Sequence, residues 1–422
     1  MSFPRRPRPG ARAAALALAT ALVVSGAHAQ PALPLTFAEA QRLAVQRSPQ
    51  LASQAAMADA AREMAVAAGE LPDPQLLAGI ENVPVSGPDR FSAREPMTMA
   101  RVGLMQMFPR EEKRRLRNER AVRDAVRTEI AAEADALVIR RESATAWLAA
   151  HFAQRRQRAI AAQAAEVELQ ATMAAATYRA GRGSQDDVLA AQAALIELRN
   201  RSVEARLAER RERLALARYV GDDAQRPLGE PPSLAALPHA VERLVDVALQ
   251  PEVRRLDAQR DVLDAESRLA RAGRLPDWSL ELSYGIRGSG FADMVSLMVR
   301  MDLPWSPGTR QDREHAAKLR ERDATEAMRE DLRRMREAEV RQMLAEWEAM
   351  REQALRIRDE LVPLTRSRSE TALASYRGGM GSLAMVLESR REELQADVML
   401  IDAELAAARA WAWLANLIPG EL

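Results

Sequence analysis

Residues 95–109 read EPMTMARVGLMQMFP, a run in which methionine recurs at every second position except where Arg101 and Gly103 stand. A thioether is a soft donor, suited to Cu(I) or Ag(I) rather than to hard cations. Strand alternation gives Met99, Arg101, Gly103, Met105 and Met107 one face, and Ala100, Val102, Leu104 and Phe108 the other. A second stretch repeats the chemistry, with Met294, Ser296, Met298 and Arg300 on one face and Leu297, Val299 and Leu303 on the opposite one. Flexible apolar filling is the plainer role for methionine on a strand. Carboxylates are the other candidates: Asp186 and Asp187 follow a Gly-Arg-Gly-Ser run, and Glu388 follows Gly-Met-Gly-Ser. There is no Gly-x-Ser-x-Gly, no His-Glu-x-x-His and no phosphate loop, and the four histidines form no ligand cluster. Enzymatic chemistry, a cofactor and a stably stored metal are therefore not expected.

Such residues need elements to place them. The chain begins with Arg5, Arg6, Arg8 and Arg12, an apolar run from Ala13 to Val24, and Ser25-Gly26-Ala27-His28-Ala29. This pattern predicts a secretory signal peptide over residues 1–29, cut after Ala29. Removing its four arginines from the 61 basic residues leaves 57 against 60 acids, a balance that gives no electrostatic case for nucleic acid. Cysteine is absent, which excludes disulfides and a lipid on an N-terminal Cys. After the leader no apolar run of about twenty residues occurs, so membrane entry would have to use β-strands.

The chain also repeats itself. Pro49 and Pro251, Leu71-Pro72-Asp73-Pro74 and Leu275-Pro276-Asp277-Trp278, Pro109 and Pro304, and Tyr178-Arg179 and Tyr376-Arg377 recur in one order at separations of 195 to 204 residues, by subtraction. Two copies of a unit of about 200 residues, 30–229 and 230–422, follow from this ordering. Gly and Pro are absent from Arg110 to Ala180, from Ser184 to Val220 and from Ser382 to Ile418, while Thr309 to Arg377 is broken only at Pro363. Each copy thus predicts a long helical hairpin, 110–220 and 309–418, of coiled-coil type. Leu189, Ala193, Ile196, Val203 and Leu207 form an apolar stripe at helical spacing, and shorter stripes open each copy at Ala40, Leu43, Ala44, Leu51 and Met57 and at Leu244, Val247, Ala248, Val253 and Leu256. Between short and long helices, alternation predicts strand pairs at about 74–108 and 278–304. Four strands cannot close a barrel, so several copies of the chain must share one. Trp278 and Trp305 flank the second pair and suit an interfacial aromatic belt.

A leader, two ordered sets of short helix, strand pair and helical hairpin, Leu-Pro-Asp entries to the strands and Tyr-Arg-x-Gly turns resemble the outer-membrane efflux proteins, the TolC-like exit ducts, over about 36–420. The resemblance implies a mainly α protomer that gives four strands to a trimeric β-barrel in the outer membrane and long helices to a periplasmic α-barrel. It implies a homotrimer working with a periplasmic adaptor (membrane fusion protein) and an inner-membrane pump of the RND type. On that reading Gly181, Arg182, Gly183 and Ser184, with Gly379, Met380, Gly381 and Ser382, are the hairpin tips at the periplasmic mouth where the adaptor docks. Asp187 matches the family's acidic position beside the first tip, with Asp186 next to it. Met385 replaces the equivalent acid of the second tip, and Glu388 matches its second carboxylate, which three copies would set in a ring. The methionine run looks like the heavy-metal branch, with Met99, Met105, Met107, Met294 and Met298 facing the lumen. The alternatives are a duct for drugs or other small molecules, and a periplasmic coiled-coil scaffold or adaptor without a pore.

Overall fold

The computed structural model describes residues 33–419 apart from 89, 93 and 289, so the leader lies outside the described residues. Helix α1 (Phe37–Gln46) begins at Thr36, whose hydroxyl accepts from the Glu39 N–H at 3.2 Å, and ends before Ser48-Pro49, where α2 (Pro49–Gly69) starts with its own serine cap. Strands β1 (Gln75–Glu81) and β2 (Met99–Phe108) follow, then α3 (Glu111–Arg179) and α4 (Gln185–Val220). The chain then repeats the order with α5 (Val241–Val245), α6 (Pro251–Ala272), β3 (Trp278–Arg287), β4 (Met294–Met301), α7 (Gln311–Arg356), α8 (Val362–Arg377) and α9 (Leu383–Ala415). The 69 residues of α3 make a rod of about 100 Å.

Pro363 does not break its helix. It lacks the N–H that the Asp359 carbonyl would bond, and its ring crowds that carbonyl. A widened π-turn over Ile357–Leu361 absorbs the mismatch, and α7 continues into α8. At its other end the second hairpin stops at Ala415, short of the expected 418.

Near the strands the helices form a wall in the order α2, α3, α6, α7; toward the hairpin ends the order is α4, α3, α9, α8. Between these levels a core gathers Phe37, Trp147, Phe152, Val340 and Trp411, with Phe37 edge-on to Trp147 at 5.7 Å and to Trp411 at 5.9 Å. The indole N–H groups of Trp147 and Trp411 are satisfied, the first by the Leu35 carbonyl at 3.0 Å and the second by that of Ala236 at 2.8 Å, while that of Trp347 in the same core has no partner among the described residues. Segment 221–250 is thereby strapped to the middle of the rods.

The stripe predicted on α4 is not covered by its own chain. Ala191, Leu198 and Ala205 bury against α3, whereas Leu189, Ile196, Val203 and Leu207 stand outward, Ile196 at 60% exposure. Met57, expected in the α2 stripe, is likewise exposed, and Ala58 and Ala65 make the contact instead.

Candidate functional site

All four strands join one antiparallel sheet in the order β1-β2-β3-β4, so the central pairing, β2 with β3, links the two halves of the chain. The outer strands β1 and β4, of seven and eight residues, are shorter than the ten-residue β2 and β3. Register sets Met99, Arg101, Gly103, Met105, Met107, Ser279, Glu281, Ser283, Met294, Ser296, Met298 and Arg300 on a single face. That face is covered along β3, where Ser279, Glu281 and Ser283 are buried, and open along β4, where Met294, Met298 and Arg300 are exposed; Leu282, Tyr284, Ile286, Val295, Leu297 and Val299 on the opposite face are exposed throughout. The sheet is therefore curled inside out, polar within and apolar without, which is the design of a membrane β-barrel wall. A Cβ on Gly103 would meet the Ser283 Cβ at 2.7 Å, so glycine there permits the tight curl.

Within the concavity, Arg101 donates to Glu81 Oε1 at 2.5 Å, to Ser283 Oγ at 2.8 Å and to Glu281 Oε1. Glu281 also faces Arg300 Nη2 at 3.6 Å. The Arg300 guanidinium in turn reaches Met105 Sδ at 3.6 Å and Met298 Sδ at 4.0 Å. The five methionines picked out from the sequence thus share one face, but the Glu281 and Arg300 network was missed. Its signal was present: Glu281 stands between Leu280 and Leu282 as the one acidic residue of the strand.

The sheet is fixed to the rods by Asp277. Its Oδ1 accepts from the Arg110 N–H at 3.1 Å at the start of α3, and its Oδ2 lies 3.0 Å from Lys113 Nζ. Trp278 stacks on Phe108 with centroids 4.4 Å apart, and Trp305 is exposed.

At the far end of the rods the two tips are built alike. Gly181 (φ 72°) and Gly379 (φ 74°) adopt the left-handed conformation that ends α3 and α8. Arg182 N–H closes on the Thr177 carbonyl at 3.1 Å and Met380 N–H on that of Ser375 at 2.9 Å, the Schellman pattern. Ser184 and Ser382 then cap the returning helices, accepting from the N–H groups of Asp187 at 3.0 Å and Met385 at 3.4 Å. A Cβ on Gly183 or Gly381 would press on the preceding helix at 3.3 or 3.1 Å. Ala174, Ala191, Leu383 and Val386 bring both hairpin ends together.

Asp187 completes a capping box, its Oδ2 accepting from the Ser184 hydroxyl at 2.7 Å, whereas Asp186 is exposed. Glu388 is exposed and takes a bond from Arg391 at 2.6 Å. It lines a groove of about 320 Å³ between α4 and α9, floored by Val167, Leu198 and Leu394. Among the described residues no three or more His, Cys, Asp or Glu side chains group to hold a metal, and no helix is long and apolar enough to cross a membrane.

Residues 247–420 match the family model "Outer membrane efflux protein". The match spans 174 of the 422 residues, most of the second repeat. The fold extends the likeness to the first half. A membrane protein of Pseudomonas aeruginosa superposes with a TM-score of 0.76 at 17% identity, covering 90% of this chain and 92% of that one. The outer membrane protein VceC of Vibrio cholerae gives 0.70 at 18% identity over 90% and 95%, and the CmeC outer membrane channel of Campylobacter jejuni 0.74 at 14% over 90% and 86%. No curated protein matches the chain. Residues 247–420 are thus similar to outer membrane efflux proteins, and the chain as a whole has the fold of these outer-membrane channel structures.

Proposed function

We propose that three copies of this chain, each the two repeats 30–229 and 230–422 behind a signal peptide, form the exit duct of a tripartite efflux system. The observation that carries this reading is the inside-out sheet whose outer edges, β1 and β4, have no partner strand within the chain among the described residues. In lipid those edges must be paired, and twelve strands from three copies leave room for a passage. The uncovered stripe on α4 supports the same assembly along the rods. The tips Gly181, Arg182, Gly183, Ser184, Gly379, Met380, Gly381 and Ser382 would receive the adaptor, through which an RND-type pump supplies the energy. Glu388, with Asp186, would place carboxylates at the periplasmic mouth. For cargo, five sulfurs on the concave face support soft cations such as copper or silver ahead of drugs or other small molecules.

Single-channel recording of the purified mature protein in planar bilayers tests this. Discrete conductance is expected, with cation preference reduced in Glu388→Ala. Conductance unchanged by that substitution would remove Glu388 from the selectivity role, and a folded protein that never inserts would return the scaffold reading.

A further inference from the structure

The row across β2, β3 and β4 at the level of Met105 contains more than packing. Met105 is the register partner of Glu281, and Glu281 that of Met298, so two thioethers flank one carboxylate on three successive strands. Met107 lies two residues along the same face. The carboxylate is 8% exposed, inside the curl. Arg300, 57% exposed, lies over this row, bridging Glu281 and both sulfurs at 3.6, 3.6 and 4.0 Å. The contrast with Arg101 is informative: that guanidinium is 17% exposed and held by three oxygen acceptors, two of them charged. Arg300 has one distant carboxylate oxygen and two weak sulfur acceptors, so little holds it in place.

We propose that Met105, Glu281 and Met298 form a site for a soft monovalent cation, and that Arg300 is its built-in counter-cation, displaced when a metal enters. Charge fixes the valence. Glu81, Arg101, Glu281 and Arg300 together sum to zero, so moving Arg300 into water leaves one negative charge, which Cu(I) or Ag(I) neutralises and a divalent ion would overshoot. Donor type fixes the softness, since two thioethers discriminate against Na⁺, K⁺ and Mg²⁺. The return of Arg300 expels the metal, so the passage recognises the cation without retaining it. This rests on the soft-cation reading of the duct.

The probe is Ag(I), added as nitrate without chloride to the detergent-solubilised full assembly carrying ¹³C-methyl methionine. Methyl shifts of Met105 and Met298 should move on titration, saturating at least tenfold lower silver in Arg300→Gln than in wild type, with Arg300→Lys intermediate. The paired substitution Met105→Leu and Met298→Leu, close in volume, should abolish silver binding at this site as read by calorimetry of wild type against variant, while the melting temperature stays put. Silver that fails to move either methyl in both wild type and Arg300→Gln overturns the site, as does binding that survives the leucine pair. Bilayer conductance of the same samples separates the two readings: conducting protein that ignores silver keeps the duct and loses the site, and silver binding without conductance does the reverse.

Discussion

At the scale of single residues, the two tips test how far chemistry and capping can be told apart. Asp187 stands where an acidic mouth residue was expected, yet it closes a box with Ser184, whereas Met385 leaves Ser382 with a one-sided cap at 3.4 Å. Ser184→Ala should therefore cost about 1 kcal/mol locally and Ser382→Ala less. Amide hydrogen exchange over the first turns of α4 and α9 reads the difference, and equal losses would deny the box its weight. His151 gives a second residue-scale prediction. Its ring is buried between Trp147, stacked at 5.4 Å, and the edge of Phe152. Burial, helped by Arg155 and Arg158 against Glu230 and the Gly229 carbonyl, holds its pKa below the ordinary 6.5. The folded state keeps the ring neutral while the unfolded chain protonates it, so its stabilising contribution is full above about pH 6.5 and is lost as pH falls toward the folded value. Between pH 7 and 5 the melting temperature of wild type should fall further than that of His151→Gln. An equal fall would assign the acid sensitivity elsewhere.

At the scale of elements, Gly and Pro punctuation located the long rods to within a few residues, because their absence over dozens of positions leaves helix as the only economical conformation. Pro363 was read as a break and is instead absorbed by a π-turn, since the packing of Ile357 and Leu361 against Leu400 and Ala403 holds the rod together across it. The tips were legible because a left-handed glycine and a serine cap each demand a residue type. What the sequence could not convey was partnership. The stripe Leu189, Ile196, Val203, Leu207 is apolar yet uncovered by its own chain, and the row Met105–Glu281–Met298 depends on β2 pairing with β3 across some 170 intervening residues. Two α4 positions, two residues apart, separate these roles. Ile196→Asp should dissociate the assembly and leave the protomer folded, because its side chain meets nothing in its own chain's core. Leu198→Ala, inside the cluster with Ile160, Val167 and Leu394, should destabilise the protomer by about 2–5 kcal/mol. Native mass spectrometry and thermal unfolding of both variants decide it, and a stable trimer of Ile196→Asp would refute the seam.

At the scale of the whole molecule, one chain is written for two solvents, and the boundary lies where Asp277 joins the curled sheet to α3. Above it the rule of burial is inverted along β3, with Ser279, Glu281 and Ser283 enclosed and Leu282 facing out, as the proposed lipid contact requires. Below it the charged rods and the aromatic core around Trp147 and Trp411 follow the ordinary rule for water. Substitutions on adjacent β4 positions should therefore have opposite outcomes. Leu297 is on the exposed apolar face, and Leu297→Arg should cost about 2–4 kcal/mol per protomer if the residue sits near the bilayer midplane. Ser296→Arg places the same charge on the concave side, where water in the passage solvates it, and should leave insertion intact. Urea titration of membrane-inserted protein, followed by tryptophan fluorescence and protease protection, measures both. If both variants insert equally, the apolar face does not meet lipid and the inside-out sheet needs another explanation; if only Leu297→Arg fails while its helical unfolding transition persists, the strands alone bind the protein to the membrane.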